Sequence, residues 1–194
     1  MWDERFSGLE YVYGTEPNDF LVSVASKIPQ GKILCLADGE GRNGTYLATL
    51  GYDVVAVDGS SVGLAKTQKL AQAKQVEITT IHADLADFVI EPQAWNGIVS
   101  IFCHLPPDLR AKVYRQSVIG LKPNGVFVLE AFAPKQLQYN TGGPKNIDML
   151  PALSTLQQEL TGLDWEIARS VERDLDEGRH HNGTAAVIQI LGRK

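Results

Sequence analysis

The residues best suited to chemistry cluster in one stretch of the 194-residue chain: Gly39, Gly41 and Gly44, followed by Asp58. Glycines at this spacing let backbone amides approach a ligand, or adopt a positive φ that other residues avoid. A carboxylate about 20 residues further on, at the end of a second strand, can accept hydrogen bonds from both hydroxyls of a ribose. Gly39-Glu40-Gly41-Arg42-Asn43-Gly44 fits the G-x-G-x-x-G pattern and follows the apolar run Ile33-Leu34-Cys35-Leu36. Asp38 opens this loop, and Gly59 and Ser60 follow the acid. Asp84, with Leu85 behind it, ends a third apolar run where an acid can receive the exocyclic amine of an adenine. A second set could face a reacting partner. His104 lies just past a predicted strand, and His180, His181, Arg173 and Arg179 lie near the C-terminus, where imidazoles could move a proton and guanidiniums bind an anion. Tyr13 and Tyr139 could close such a pocket. Cys103 and His104 are adjacent, a spacing that does not make a nucleophile–base pair.

These residues need elements to hold them. Apolar periodicity predicts strands over 33–36, 53–57, 76–81, 97–102 and 126–131, and helices over 20–27, 45–50, 61–73 and 108–121. The strands do not alternate strictly and are separated by helices, which indicates a parallel sheet covered on both faces. Residues 132–150 are turn-rich, and a long irregular segment in a compact domain is more often functional than filler. A helix over 152–161 precedes strands over 165–171 and 184–191. The loop between those strands is too short for a crossover, so they must pair antiparallel. The expectation is one α/β domain over 1–194: a doubly wound, mostly parallel seven-stranded sheet with an antiparallel C-terminal strand. Residues 1–18, rich in aromatics, serve as a lid over the ligand or as an anchor to the domain surface.

Composition narrows the function classes. A hydrophobic fraction of 44% suits one sizeable core. A net charge of −5 without a basic stripe argues against nucleic acid, with Lys66, Lys69 and Lys74 read as the solvated face of a helix. The start Met1-Trp2-Asp3-Glu4-Arg5 lacks a secretory pattern, and no apolar run is long enough to span a membrane. Cys35 and Cys103 read as small buried hydrophobes within strands, consistent with a reducing cytoplasm. The glycosylation-type triplets at Asn43 and Asn182 carry no weight without a secretory route. No His, Cys and Asp spacing suits a metal. A monomer acting on a small soluble molecule is expected.

Taken together, the ordered motifs resemble the class I S-adenosylmethionine-dependent methyltransferases, and within them the tellurite-resistance and thiopurine methyltransferase-like proteins. The resemblance covers nearly the whole chain. It is carried by Trp2-Asp3-Glu4-Arg5-Phe6, Tyr13-Gly14-Thr15-Glu16-Pro17-Asn18, Gly39-Glu40-Gly41-Arg42-Asn43 and Leu121-Lys122-Pro123-Asn124-Gly125. Thr141-Gly142-Gly143-Pro144-Lys145, Glu177-Gly178 and His181-Asn182-Gly183 complete it. The resemblance implies a Rossmann-like fold and S-adenosylmethionine as methyl donor, leaving S-adenosylhomocysteine. Gly39 and Gly41 would lie along the methionine part, Asp58 on the ribose, and Asp84 with the Leu85 backbone on adenine. A thiol, a chalcogen oxyanion or a purine-like heterocycle would be the acceptor, in an in-line displacement. The chain departs from the general acid-x-Gly-x-Gly-x-Gly pattern, with Cys35 and Ala37 at its first two positions. Asp38, or main-chain carbonyls with the aromatic leader, would then hold the methionine amino group. Two other readings stand beside this one: an NAD-binding oxidoreductase, from the glycine pattern alone, and a non-catalytic regulatory protein on the same fold.

Overall fold

A computed structural model of the protein describes residues 1–178 and 181–194. Among these, seven strands form one sheet of order β3-β2-β1-β4-β5-β7-β6. The strands are β1 (Lys32–Leu36), β2 (Asp53–Asp58), β3 (Thr79–His82), β4 (Trp95–Ile101), β5 (Leu121–Phe132), β6 (Asp164–Asp176) and β7 (Asn182–Arg193). The helices are α1 (Trp2–Phe6), α2 (Asp19–Val24), α3 (Arg42–Thr49), α4 (Ser61–Ala73), α5 (Pro107–Gly120) and α6 (Leu153–Glu159). The first five strands pair in parallel and β7 joins β5 antiparallel, so the sheet is Rossmann-like and doubly wound with an antiparallel end.

The period-2 geometry of strands divides the apolar residues between two cores. Leu34 and Leu36 of β1 face the core shared with Val113 and Tyr114 of α5 and Leu156 of α6. Ile33 and Cys35 face the other, with Phe20 and Leu21 of α2 and Leu47 of α3. β1 lies between β2 and β4, so the connections leaving it diverge to opposite sides. Such a switch point opens a crevice at the carboxyl ends of the strands, where open α/β sheets bind ligands.

Several boundaries differ from the sequence reading. β6 runs on to Asp176, so Arg173 belongs to a strand and not to the terminal loop. The ladder Arg173↔Ala185, Asp174↔Thr184, Leu175↔Gly183 and Asp176↔Asn182 lets charged residues alternate outward while backbone pairing continues. β3 is shorter than expected, Thr79–His82, because it is an edge strand supported only by β2. β5 begins at Leu121, which pairs with Trp95 across a register irregularity. Cys103 lies beyond the end of β4, buried like Cys35, and both thiols are free. Lys66 is not on a solvated face: it is 8% exposed, and its Nζ donates to Glu40 Oε1 at 2.7 Å and to the Glu10 carbonyl at 2.8 Å. No helix among the described residues is long and apolar enough to cross a membrane.

Candidate active site

The loop from β1 to α3 is built around Asp58 at the end of β2. Asp58 Oδ2 accepts from the Gly39 N–H and Oδ1 from the Ser60 N–H, each at 2.8 Å. An ionised carboxylate offers about four lone-pair positions, so two remain for a ligand. Burial raises the Asp58 pKa, and the two amide bonds oppose that rise. The glycines differ in their reasons. At Gly41 (φ +84°) a Cβ would lie 2.6 Å from Thr67 Oγ1, so glycine there permits α3 to close on α4. At Gly44 a Cβ would meet Asp38 Oδ2 at 2.5 Å, the carboxylate that accepts from the Gly44 N–H. At Gly59 a Cβ would find only the Ala83 carbonyl, at 4.0 Å, so packing does not require glycine and open space lies in front of the chain. α3 starts at Arg42, three residues earlier than the sequence indicates, with Gly41 as its N-cap, and the Asp38 carboxylate accepts from the Gly44 N–H of its first turn.

The N-terminal leader lies across this loop. Phe6, 3% exposed, would stand 3.3 Å from a Cβ on Gly39, and Asp3 Oδ1 accepts from Ser60 Oγ at 2.5 Å. Glu40 Oε2 accepts from the Val12 N–H at 2.7 Å. The leader thus touches the glycine loop and the start of α4 through Asp3, Phe6 and Val12.

A buried ionic network ties the leader to the loop and the terminal hairpin. Glu130 of β5, fully buried, accepts from Asn18 Nδ2 at 2.8 Å, Arg173 Nη2 at 2.5 Å and Gln189 Nε2 at 2.6 Å. Glu177 accepts from Arg42 Nη2 at 2.7 Å, Arg173 Nη2 at 2.8 Å and Asn18 Nδ2 at 2.9 Å. Burial works to raise the Glu177 pKa, but His181, Arg42 and Arg173 overcome it and hold the group well below the usual carboxylate range.

Beside the network, aromatic rings gather beyond the carboxyl ends of β4 and β5. Phe102 lies 4.6 Å, between ring centroids, from both Phe132 and His181. Tyr13 stands 4.7 Å from His181, and His104 stacks on Phe132 at 5.4 Å. His104 Nε2 accepts from the Phe132 N–H at 3.2 Å, which fixes the tautomer, and the ring also bonds the Phe102 backbone. Burial, with His181 nearby, pushes its pKa down to about 4. A neutral imidazole with its lone pair engaged clips the ends of two strands together.

Residues 33–125 match the family model described as a methyltransferase domain. The fold is that of a class I S-adenosylmethionine-dependent methyltransferase. The chain is 26% identical over 141 residues, 72% of its length, to the uncharacterized methyltransferase YbaJ of Bacillus subtilis (strain 168). It spans about half, 52%, of that relative. Its fold superposes on TehB from Haemophilus influenzae with a TM-score of 0.75 at 18% identity, covering 100% of this chain and 65% of that one. A structure solved for the conversion of a disulfide bond into a thioacetal group during echinomycin biosynthesis gives 0.77 at 15%, covering 100% and 90%. A SAM-dependent methyltransferase from Methanosarcina mazei gives 0.71 at 15%, covering 89% and 96%. At these identities the superpositions bear on the fold. The antiparallel β7, placed between β5 and β6, departs from the dinucleotide-binding strand order.

On this methyltransferase fold, Asp38, Gly39, Gly41, Asp58, Gly59 and Ser60 lie together at the switch point. Ser60 serves as the cap of α4, its Oγ accepting from the Gly63 N–H at 3.0 Å. Asp84 is exposed at the end of β3 and caps its own turn through the Ala86 N–H at 2.8 Å, while Leu85 is buried in the core. Tyr13, His104 and His181 meet in the ring cluster. Arg173 is committed to Glu130 and Glu177, and the Tyr139 hydroxyl donates to Glu172 at 2.8 Å. Arg179 and His180 lie outside the described residues. Sequence reasoning missed Glu130, Phe102 and Phe132. The one local signal was Glu130 itself, a charge inside the apolar run 126–132 that must be paired if buried.

Two expectations follow for the loop. Gly41→Ala should cost roughly 3 kcal/mol of stability in urea denaturation, from the left-handed φ together with overpacking against Thr67; a loss below about 1 kcal/mol would contradict that packing. Asp38 is pushed up to about 7 by burial, with Asp58 adding to the rise and the Gly44 amide opposing it. Its folded pKa exceeds its unfolded value, so between about 4 and 7 the native state binds the extra proton and stability falls as pH rises. Asp38→Asn keeps the acceptor for Gly44 and should remove that slope from a pH series of denaturation midpoints.

Proposed function

We propose that this protein transfers a methyl group from S-adenosylmethionine to a small soluble acceptor by direct in-line displacement. The observation that carries the reading is a pair of half-sites at the carboxyl ends of the central strands, linked by Phe6 and Tyr13, whose ring centroids lie 6.4 Å apart. One is the Gly39–Asp58–Gly59 cradle and the other is the ring cluster around Phe102. The cradle fits an adenosine: Asp58 keeps lone pairs for ribose hydroxyls, and Gly59 leaves room beside it. Asp84 and the Leu85 backbone would receive adenine, and Gly39, Gly41 and Asp38 would lie along the methionine part, with Tyr13 closing the end.

S-Adenosylmethionine supplies a methyl on positively charged sulfur, whose carbon–sulfur bond breaks as the acceptor's lone pair bonds that carbon. The chain's own residues orient and exclude water. Holding reactants in line can supply about 7–11 kcal/mol of the barrier. The leader, pinned at Asp3, Phe6 and Val12, covers the cradle. Glu177 lies 3.5 Å from His181 Nδ1, so His181 is the candidate to take the proton of an acceptor that arrives protonated. His104 and Arg173 act as positioning residues, the first clipping Phe102 to Phe132 and the second tying β6 to Glu130 of β5 across the intervening β7.

Calorimetric titration with S-adenosylmethionine, S-adenosylhomocysteine and NAD tests the reading. Binding of both sulfur compounds without NAD is expected; NAD binding alone would replace the reading with a dinucleotide site.

A further inference from the structure

We infer that His82 is a positioning residue for the cofactor's ribose: by holding the Gly59 carbonyl it aims the Ser60 N–H at Asp58 and so orients that carboxylate. This rests on the methyl-transfer reading above and adds a residue to its adenosine half.

β2 and β3 keep parallel register to their ends, where Asp58 lies opposite His82. The last main-chain bond between the two runs from the Ala83 N–H to the Asp58 carbonyl, at 3.1 Å. Beyond it the chain leaves the sheet. Asp84 starts a turn there, its side chain accepting from the Ala86 N–H and its carbonyl from the Asp87 and Phe88 N–H groups. A side chain takes up the Gly59 carbonyl instead: His82 Nε2 lies 3.1 Å from it. A carbonyl only accepts, so Nε2 carries the proton and donates. The imidazole adds one more rung to the ladder after the backbone has turned away. His82 is exposed and belongs to neither apolar core, so its replacement removes this bond and little else.

The effect reaches Asp58 through a single peptide unit. The Gly59 carbonyl and the Ser60 N–H belong to one planar trans peptide, so they point in opposite directions. With the carbonyl fixed on His82, the N–H is directed at Asp58 Oδ1, 2.8 Å away. Glycine makes this grip necessary. Gly59 has no side chain to restrict it and open space in front, so rotation of the peptide that follows is otherwise cheap. Were that peptide to turn, Asp58 would keep the Gly39 amide on Oδ2 and lose the bond that orients its other oxygen. On the far side of the peptide, Asp3 Oδ1 accepts from Ser60 Oγ at 2.5 Å and from the Val62 N–H at 3.3 Å. The Gly59–Ser60 unit is thus held at its carbonyl by β3 and at its serine by α1.

The test uses the whole protein and needs no methyl acceptor. Without ligand, His82→Ala should speed hydrogen exchange of the Ser60 amide about tenfold, the scale of one hydrogen bond. His82→Gln, whose side-chain amide can donate to the same carbonyl, should restore the protection. Calorimetry with S-adenosylhomocysteine comes next. His82→Ala should weaken binding about tenfold, and His82→Gln should stay within about threefold of wild type. In an Asp58→Ala background His82→Ala should make no further difference, since its effect runs through that carboxylate. Unchanged Ser60 exchange or unchanged S-adenosylhomocysteine affinity in His82→Ala would overturn the inference. So would an undiminished effect in the absence of Asp58, which would place His82 against the ligand itself. Exchange and the glutamine rescue decide the matter even if the double variant fails to fold. Faster Ser60 exchange in His82→Ala, with no S-adenosylhomocysteine binding by wild type, would instead bring down the methyl-transfer reading and leave the His82 grip on the peptide standing.

Discussion

S-Adenosylmethionine should bind an Asp58→Ala variant at least about a hundredfold more weakly than wild type. A hydrogen bond to a charged group contributes about 1.5–3 kcal/mol, and two ribose hydroxyls would lose their acceptor together. Each 1.4 kcal/mol is tenfold in affinity, so even the lower end gives two orders of magnitude. The loop would suffer as well, since Asp58 is the group that gathers the Gly39 and Ser60 amides. Calorimetry with S-adenosylhomocysteine, alongside circular dichroism to verify the fold, separates lost contacts from lost structure. An affinity within about threefold of wild type in a folded variant would remove Asp58 from the site.

The largest stability effect should come from Glu130→Ala. Removing one partner of a buried ion pair costs about 3–5 kcal/mol, because the other charge stays in low dielectric without compensation. Here the stranded groups would be Arg173, together with the amides of Asn18 and Gln189. Glu130→Gln keeps the volume and an acceptor oxygen and should lose less. Urea denaturation gives the difference directly, and a loss under about 1 kcal/mol for the alanine variant would mean that the network contributes little. Acid should weaken the same network. Glu177 is held below its unfolded pKa, so its contribution is complete above about pH 4.5 and lost as pH falls through the folded value.

Much of the sheet and the glycine-loop half of the candidate site were legible in the chain. Ile33 to Leu36, the glycine turn and Asp58 are neighbours in sequence, so the identity of each residue constrains the next within one strand–turn–helix–strand unit. The terminal hairpin was legible for a different reason: two strands with a short link have one way to pair. The ring cluster was not. Phe102 read as the end of an apolar strand and Phe132 as the start of a turn-rich segment, and nothing local shows that the two rings meet each other and His181.

The order of strands and helices along the chain and the acid on the second strand came from the sequence by itself, because hydrophobic period and glycine spacing are local properties. The tertiary structure alone decided what the charged and polar groups do. Asn18 and Glu177 are 159 residues apart and meet in one hydrogen bond; Glu130 and Arg173 are 43 apart. Lys66 looks like a solvated lysine until Glu40 closes on it, His104 like a base until Phe132 takes its lone pair, and Arg173 like an anion receptor until two glutamates neutralise it. In each case the deciding energy is the pairing of a buried polar group with a partner distant in sequence. No period or spacing along the chain records that pairing.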